Sequence, residues 1–116
     1  MKRWVATVGT CLICGTASAA FLSGNDLHRL LQGSNMQQAQ ANSFVIGVYD
    51  TIRVAHDADA RAKRDKMLCV SERSGIVSGQ VIDVVRKYLR DNPENRNESA
   101  ASLVWVALNQ AWPCNQ

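Results

Sequence analysis

The sequence predicts an all-α fold, a small compact bundle of about four helices held by one disulfide. Three observations carry this. Apolar residues recur at a spacing of three to four in four separate segments. No stretch of useful length alternates apolar and polar residues as a half-buried strand would. The first twenty residues have the features of a removable export signal, which leaves two cysteines, Cys69 and Cys114, in a chain bound for an oxidising compartment.

The chain has 116 residues, enough for one domain. At 47% hydrophobic and 20% charged it is composed like a globular protein and unlike a disordered one. The formal net charge is +3, but Lys2 and Arg3 lie in the signal. Without them 11 basic residues stand against 10 acidic ones, too even a balance for a nucleic-acid binder.

Residues 1–19 read as a secretory signal peptide. Lys2 and Arg3 form the positive start, residues 4–15 an uncharged apolar run, and Ala17-Ser18-Ala19 a small-x-small cleavage site. Cleavage after Ala19 leaves residues 20–116 as the domain; Ala20 is the next possible site. The apolar run is shorter than the roughly 20 residues that span a bilayer, so no stable membrane insertion is expected after its removal. Lipid attachment is excluded, because Cys14 follows Ile13 and Cys11 would leave a very short apolar region. Cys11 and Cys14 depart with the signal, so their Cys-x-x-Cys spacing is neither a redox nor a zinc motif. Cys69 and Cys114 then admit one intramolecular bridge, with an intermolecular bridge or two free thiols as the alternatives. The bridge would close a loop of about 45 residues, for which chain entropy suggests roughly 4 kcal/mol.

The elements follow in order. Residues 21–26 (FLSGND) form a turn with cap residues. A short helix is expected over residues 26–32, with Leu27, Leu30 and Leu31 on one side and Gly33 as its stop. Ser34 followed three residues later by Gln37 is a capping box for a second helix. That helix should run from Asn35 to near His56, burying a stripe of Val45, Val48, Ile52 and Ala55. Residues 57–66 (DADARAKRDK) have seven charged residues in ten and no apolar stripe, so the helix frays there or a solvated loop begins. Met67 to Val70 is a short apolar anchor. After a turn region, Ser78 is placed to cap a third helix, with Val81, Val84, Val85, Tyr88 and Leu89 as its buried stripe. Asn92-Pro93 ends it, since a residue before proline avoids the helical region. A fourth helix starts near Glu98 or Ser99 and is apolar on most faces, as suits a central helix or a subunit interface. Pro113 stops it. Trp105 is read as a core residue, and Trp112 is left open between core and subunit contact.

Catalytic machinery is not visible. His28 and His56 lie in no metal-binding spacing, and Asp57 and Asp59 lack the glycine and terminal glutamate of a calcium loop. No glycine-rich phosphate loop is present. Cys69 with His56 is better explained by disulfide chemistry than by a nucleophile pair. Asp50 is read as a local cap or pairing residue. Catalytic, cofactor-binding and metal sites are therefore all read as none, and binding is the default function.

Several stretches, in order, carry a resemblance. They are Phe21-Leu22-Ser23-Gly24-Asn25-Asp26-Leu27, Phe44-Val45-Ile46-Gly47-Val48-Tyr49-Asp50, Met67-Leu68-Cys69 and Gly79 to Leu89 (GQVIDVVRKYL). After them come Asn92-Pro93-Glu94-Asn95-Arg96, Ala100-Ala101-Ser102-Leu103-Val104, Ala107-Leu108 and the ending Ala111-Trp112-Pro113-Cys114. Together they cover nearly all of residues 21–114. The set resembles the Rap/Tai family of type VI secretion immunity proteins, small periplasmic helical proteins that neutralise peptidoglycan-cleaving amidase toxins. The resemblance implies a periplasmic location, a cognate amidase-type toxin as partner, a homodimer, and no enzymatic activity. Many members carry two further cysteines, near the positions of Leu31 and Ala41 here. Their joint absence fits a pair lost together and supports Cys69–Cys114 as the remaining bridge.

An inhibitor needs no chemistry, only a surface that blocks a cleft. The candidate toxin-facing segments are residues 57–66, with Asp57, Asp59 and Arg61, and residues 91–98, with Glu94, Asn95 and Arg96. Each is also readable as a solvated connection, and Glu94 and Arg96 as locks on a helix end. Two other classes remain. A periplasmic acid-stress chaperone would expose apolar surface on acidification. A small secreted enzyme using Asp50, His56 or His28 would show turnover.

Overall fold

The structure, a computed structural model, describes residues 21–63 and 75–113. Cys69, Cys114, the cleavage site at Ala19, the apolar anchor at residues 67–70 and the end of the charged stretch lie outside the described residues. Four helices follow in order: α1 (Gly24–Leu31), α2 (Asn35–Arg61), α3 (Ser78–Asp91) and α4 (Ala100–Ala111). A single 3-10 turn (Pro93–Asn95) links α3 to α4. No strand is present among the described residues, only an isolated bridge between Ser23 and Ser99.

The first helix begins two residues earlier than the sequence reading placed it. Ser23 is the N-cap: its hydroxyl accepts from the Asp26 N–H at 3.2 Å, while Ser23 N–H donates to Asp26 Oδ2 at 3.1 Å. This reciprocal pairing satisfies two orphan donors of the first turn. The second helix starts as expected, with Ser34 Oγ accepting from Gln37 N–H at 3.3 Å and Gln37 Oε1 accepting from Ser34 N–H at 2.9 Å. It then runs past His56 to Arg61, so the first part of the charged stretch is helix. The reason is composition: Ala58, Ala60 and Arg61 are strong helix formers, and an exposed helix end needs no apolar stripe. Lys63, at φ 52°, enters the left-handed region and ends it.

The third helix is capped by Val77, not by Ser78, which becomes its first helical residue. Val77 has extended backbone and makes no side-chain cap hydrogen bond; its own N–H donates to Gln80 Oε1 at 3.0 Å, which is the reach-back half of a capping box and not the hydroxyl cap expected of the serine. The fourth helix is capped by Ser99, whose hydroxyl accepts from Ser102 N–H at 3.4 Å.

The core draws on all four helices. Leu27 and Leu31 come from α1, Ala41, Val45 and Ile52 from α2, and Val81, Val85 and Leu89 from α3. Ala100, Leu103, Val104, Ala107 and Leu108 come from α4, which touches each of the other three helices. Every helix touches the other three, so contacts alone do not make α4 central; what sets it apart is that it supplies more core residues than any other helix. The predicted stripes are buried along their axes, with Val48, Ala55, Val84 and Tyr88 at half-buried margins. His56 is the buried polar residue of the described set.

The start of α1 is fastened to the segment before α4. Gly24 N–H donates to Glu98 O at 2.9 Å, Asn25 N–H to Arg96 O at 2.7 Å, and Ala100 N–H to Leu22 O at 2.8 Å. Gly24 is buried there, and a Cβ on it would meet the Leu103 side chain and the Arg96 backbone. Only a glycine admits that approach.

Candidate partner-binding surfaces

Two of the sequence-predicted segments lie on separate elements. Asp57, Asp59 and Arg61 occupy the last turns of α2. Asp57 and Arg61 are exposed and Asp59 is half-buried. Asp57 Oδ1 lies 3.7 Å from Nδ1 of the buried His56. Glu94, Asn95 and Arg96 lie in and just after the 3-10 turn.

The second group divides by role. Arg96 Nε donates to Leu89 O at 2.6 Å, and its Nη2 donates to Arg90 O at 3.3 Å. These are carbonyls at the C-terminal end of α3, where a cation also meets the negative end of the helix dipole. Asn95 Nδ2 donates to Tyr88 Oη at 3.3 Å, and Asn92 Nδ2 to Tyr88 O at 2.9 Å. Arg96 and Asn95 therefore hold the loop, as the helix-end reading proposed for Arg96. Glu94 is exposed and makes no such contact. A cleft of about 300 Å³ adjoins this loop between α3 and α4, lined in part by Lys87, Tyr88, Asp91 and Gln110. Lys87 and Arg90 both pair with Asp91, and those hydrogen bonds, that of Lys87 foremost, hold its carboxyl below the ordinary range.

A larger feature was not found by sequence reasoning. Between α2 and α4 runs an open groove of about 610 Å³. Phe44, Val48, Ile52 and Trp105 form its apolar surface, and Ser43, Gly47, Thr51, Ala101 and Ser102 complete it without a single charge. Trp105 is thus half-buried at a groove wall rather than sealed in the core, and its indole nitrogen is buried without a hydrogen-bond partner among the described residues. Trp112, half-buried, packs against the core from the end of α4. The groove depends on how two helices far apart in sequence pack, which periodicity within one helix does not show.

The titratable groups form no reaction centre among the described residues. His28, on α1, shares a 3.0 Å hydrogen bond with Gln32, and His56 is buried on α2. Asp50 is exposed on α2. No group of three or more histidine, cysteine, aspartate or glutamate side chains is placed to hold a metal among the described residues. No described helix is long and apolar enough to cross a membrane.

Burial, and secondarily the Arg96 charge, hold the His28 pKa below its ordinary value of 6.5. The Ser23 hydroxyl, then the Ser23 N–H, hold the Asp26 carboxyl below 3.8, with a smaller contribution from Arg29. All three shifts have the same sign in linkage. Where the folded pKa is depressed, the unfolded chain binds the proton first, so stability falls as pH falls. For His28 the loss begins as pH drops through about 6.5; for Asp26 and Asp91 it begins near about 4. The urea midpoint is therefore expected to fall between pH 7.5 and pH 5, and by less in His28→Gln. An equal fall in both proteins would remove His28 from the account.

What the described residues define is a small helical bundle with an uncharged groove between α2 and α4 and two polar segments at its surface. A family model for Rap1a immunity proteins matches residues 23–114, and the chain belongs to that family. It is an immunity protein, not an enzyme. No curated protein and no solved structure matches the chain.

Proposed function

We propose that this chain is a periplasmic immunity protein that binds and blocks a peptidoglycan amidase delivered by type VI secretion. The observation that carries the reading is the family match across residues 23–114. The signal-like residues 1–19 support an exported protein, with cleavage after Ala19. In the exported chain Cys69 pairs with Cys114. Two copies act together as a homodimer.

Blocking requires an exposed surface anchored to a rigid frame. Asp57, Arg61 and Glu94 meet the first requirement, and the loop fixed by Asn95 and Arg96 meets the second. Charged rim residues of this kind set association rate and partner choice more than total affinity.

The test is survival. Candidate amidase toxins are directed to the periplasm in cells that carry the full chain, a version lacking residues 1–19, or neither. Survival is expected with the full chain only, together with a stable purified toxin complex. Rescue by the version lacking residues 1–19 would overturn the periplasmic reading. Failure to rescue or bind any amidase would overturn the target.

A further inference from the structure

Residues 92–99, between α3 and α4, are held from two sides. On one side the Arg96 side chain donates to Leu89 O and Arg90 O at the end of α3. On the other, the first turn of α1 donates its Gly24 and Asn25 N–H groups to Glu98 O and Arg96 O, and Leu22 O accepts from Ala100 N–H. His28 belongs to this second contact. It follows Gly24 by four residues, which puts it on the same face of α1 one turn further on. A Cβ at Gly24 would lie 2.9 Å from Arg96 Cα, and a helical side chain leans back toward the preceding turn. The half-buried His28 imidazole is thereby directed toward the half-buried Arg96.

Few charges surround the pair. α4 has no acidic or basic residue, and neither has α2 between Asn35 and Tyr49. On α1, Asp26 pairs with Arg29. On α3, Asp83 pairs with Arg86, and Asp91 with Lys87 and Arg90. In the connection Glu94 and Glu98 are exposed, and Arg96 pairs with no carboxylate among the described residues. The bonds of Arg96 go to carbonyl oxygens, which leave its permanent charge unneutralised. Burial disfavours an imidazolium at His28, and the Arg96 charge adds to that cost. The Gln32 contact does not resist protonation, because its amide can turn its oxygen toward an imidazolium N–H.

We propose that His28 and Arg96 form a proton-sensitive latch: a neutral His28 keeps residues 92–99 docked on α1, and a protonated His28 releases them. Release is local, since the buried side chains of α3 and α4 pack on each other and on α2. Its consequence for a partner rests on the toxin-facing reading of Glu94, because acidification frees the segment that holds that residue in place. In the released form His28 has its ordinary pKa of about 6.5, so the proton binds that form first. Release therefore grows as pH falls through this value, by at most about thirtyfold at pH 5.

Amide hydrogen exchange in the purified full chain, read by NMR at pH 7.5 and pH 5 and corrected for intrinsic rates, tests the latch. No toxin is present, so failure here is distinct from failure of the target reading. The Gly24, Asn25 and Ala100 amides should open more readily than those of Val104 and Leu108 at both pH values. Their opening should rise by about threefold to thirtyfold at pH 5. His28→Gln should abolish the rise. Arg96→Met should reduce it, while loosening the segment at both pH values. Opening of Gly24, Asn25 and Ala100 only together with Val104 and Leu108 would make the event global unfolding and overturn the latch. A rise that persists in His28→Gln, or is unchanged in Arg96→Met, would overturn it as well.

Discussion

Leu108→Ala is expected to remove about 2–5 kcal/mol of folding stability, the range for truncating a fully buried leucine. The side chain is fully enclosed on α4, the helix that supplies the most core residues. Its neighbours Val104 and Ala107 are held by the same contacts, so they have little freedom to collapse into the vacated space. Total stability of a small domain is typically about 5–15 kcal/mol, so this single truncation can consume much of it. Urea denaturation should show a lower midpoint with an unchanged slope, because the folded state keeps its shape and loses only packing. A cost below about 1 kcal/mol would mean that Leu108 is not enclosed as the fold has it.

Gly24→Ala is expected to cost about 1–3 kcal/mol, the range for overpacking a tight site. One added methyl would meet Leu103 Cδ1, Arg96 O at 2.8 Å and Arg96 Cα at 2.9 Å. The leucine can rotate away, but the Arg96 atoms are backbone. That backbone accepts the Asn25 N–H and precedes the Glu98 carbonyl that accepts from Gly24 itself. Moving it strains the hydrogen bonds that fasten α1. The same change at Gly47 should act with the opposite sign, stabilising by up to about 1 kcal/mol, since that position is helical and open. Thermal melts of the two variants beside the parent chain check both signs. Equal effects would show that helix propensity alone, without the close approach at Gly24, decides the outcome.

Much of the fold was legible because its signals are local. Ser34 with Gln37, Ser99 before α4, and Asn92-Pro93 after α3 each announce an element boundary within three or four residues. The errors also have local causes. Ser23 and Asp26 are both cap-type residues, and sequence does not say which of them opens the helix when they cap each other. Val77 is not a capping residue at all, and only the reach of the Gln80 side chain makes its position serviceable. The charged stretch after His56 lacks an apolar stripe, but helix propensity sustains five more residues of α2 where no packing is needed.

The candidate surfaces were legible in a different measure. Charge and polarity pointed to residues 57–66 and 91–98, and Glu94, Asp57 and Arg61 are indeed exposed. The inward turn of Arg96 was one of two readings open to it. The groove was not legible, because Phe44 and Trp105 become its walls only through the packing of α2 on α4.

The fastening of Ser23 and Gly24 to residues 96–99 also imposes an order of assembly. A chain synthesised from its N-terminus emerges with α1 first, but the carbonyls that receive Gly24 and Asn25 come later, at residues 96–98. The Leu103 side chain that fills the space beside Gly24 follows later still. A partly synthesised chain thus has a first helix without its dock. Closure awaits the last helix, and folding becomes a late event on a nearly complete chain. Resistance to proteolysis is then expected to arise in one step, once α4 is in place.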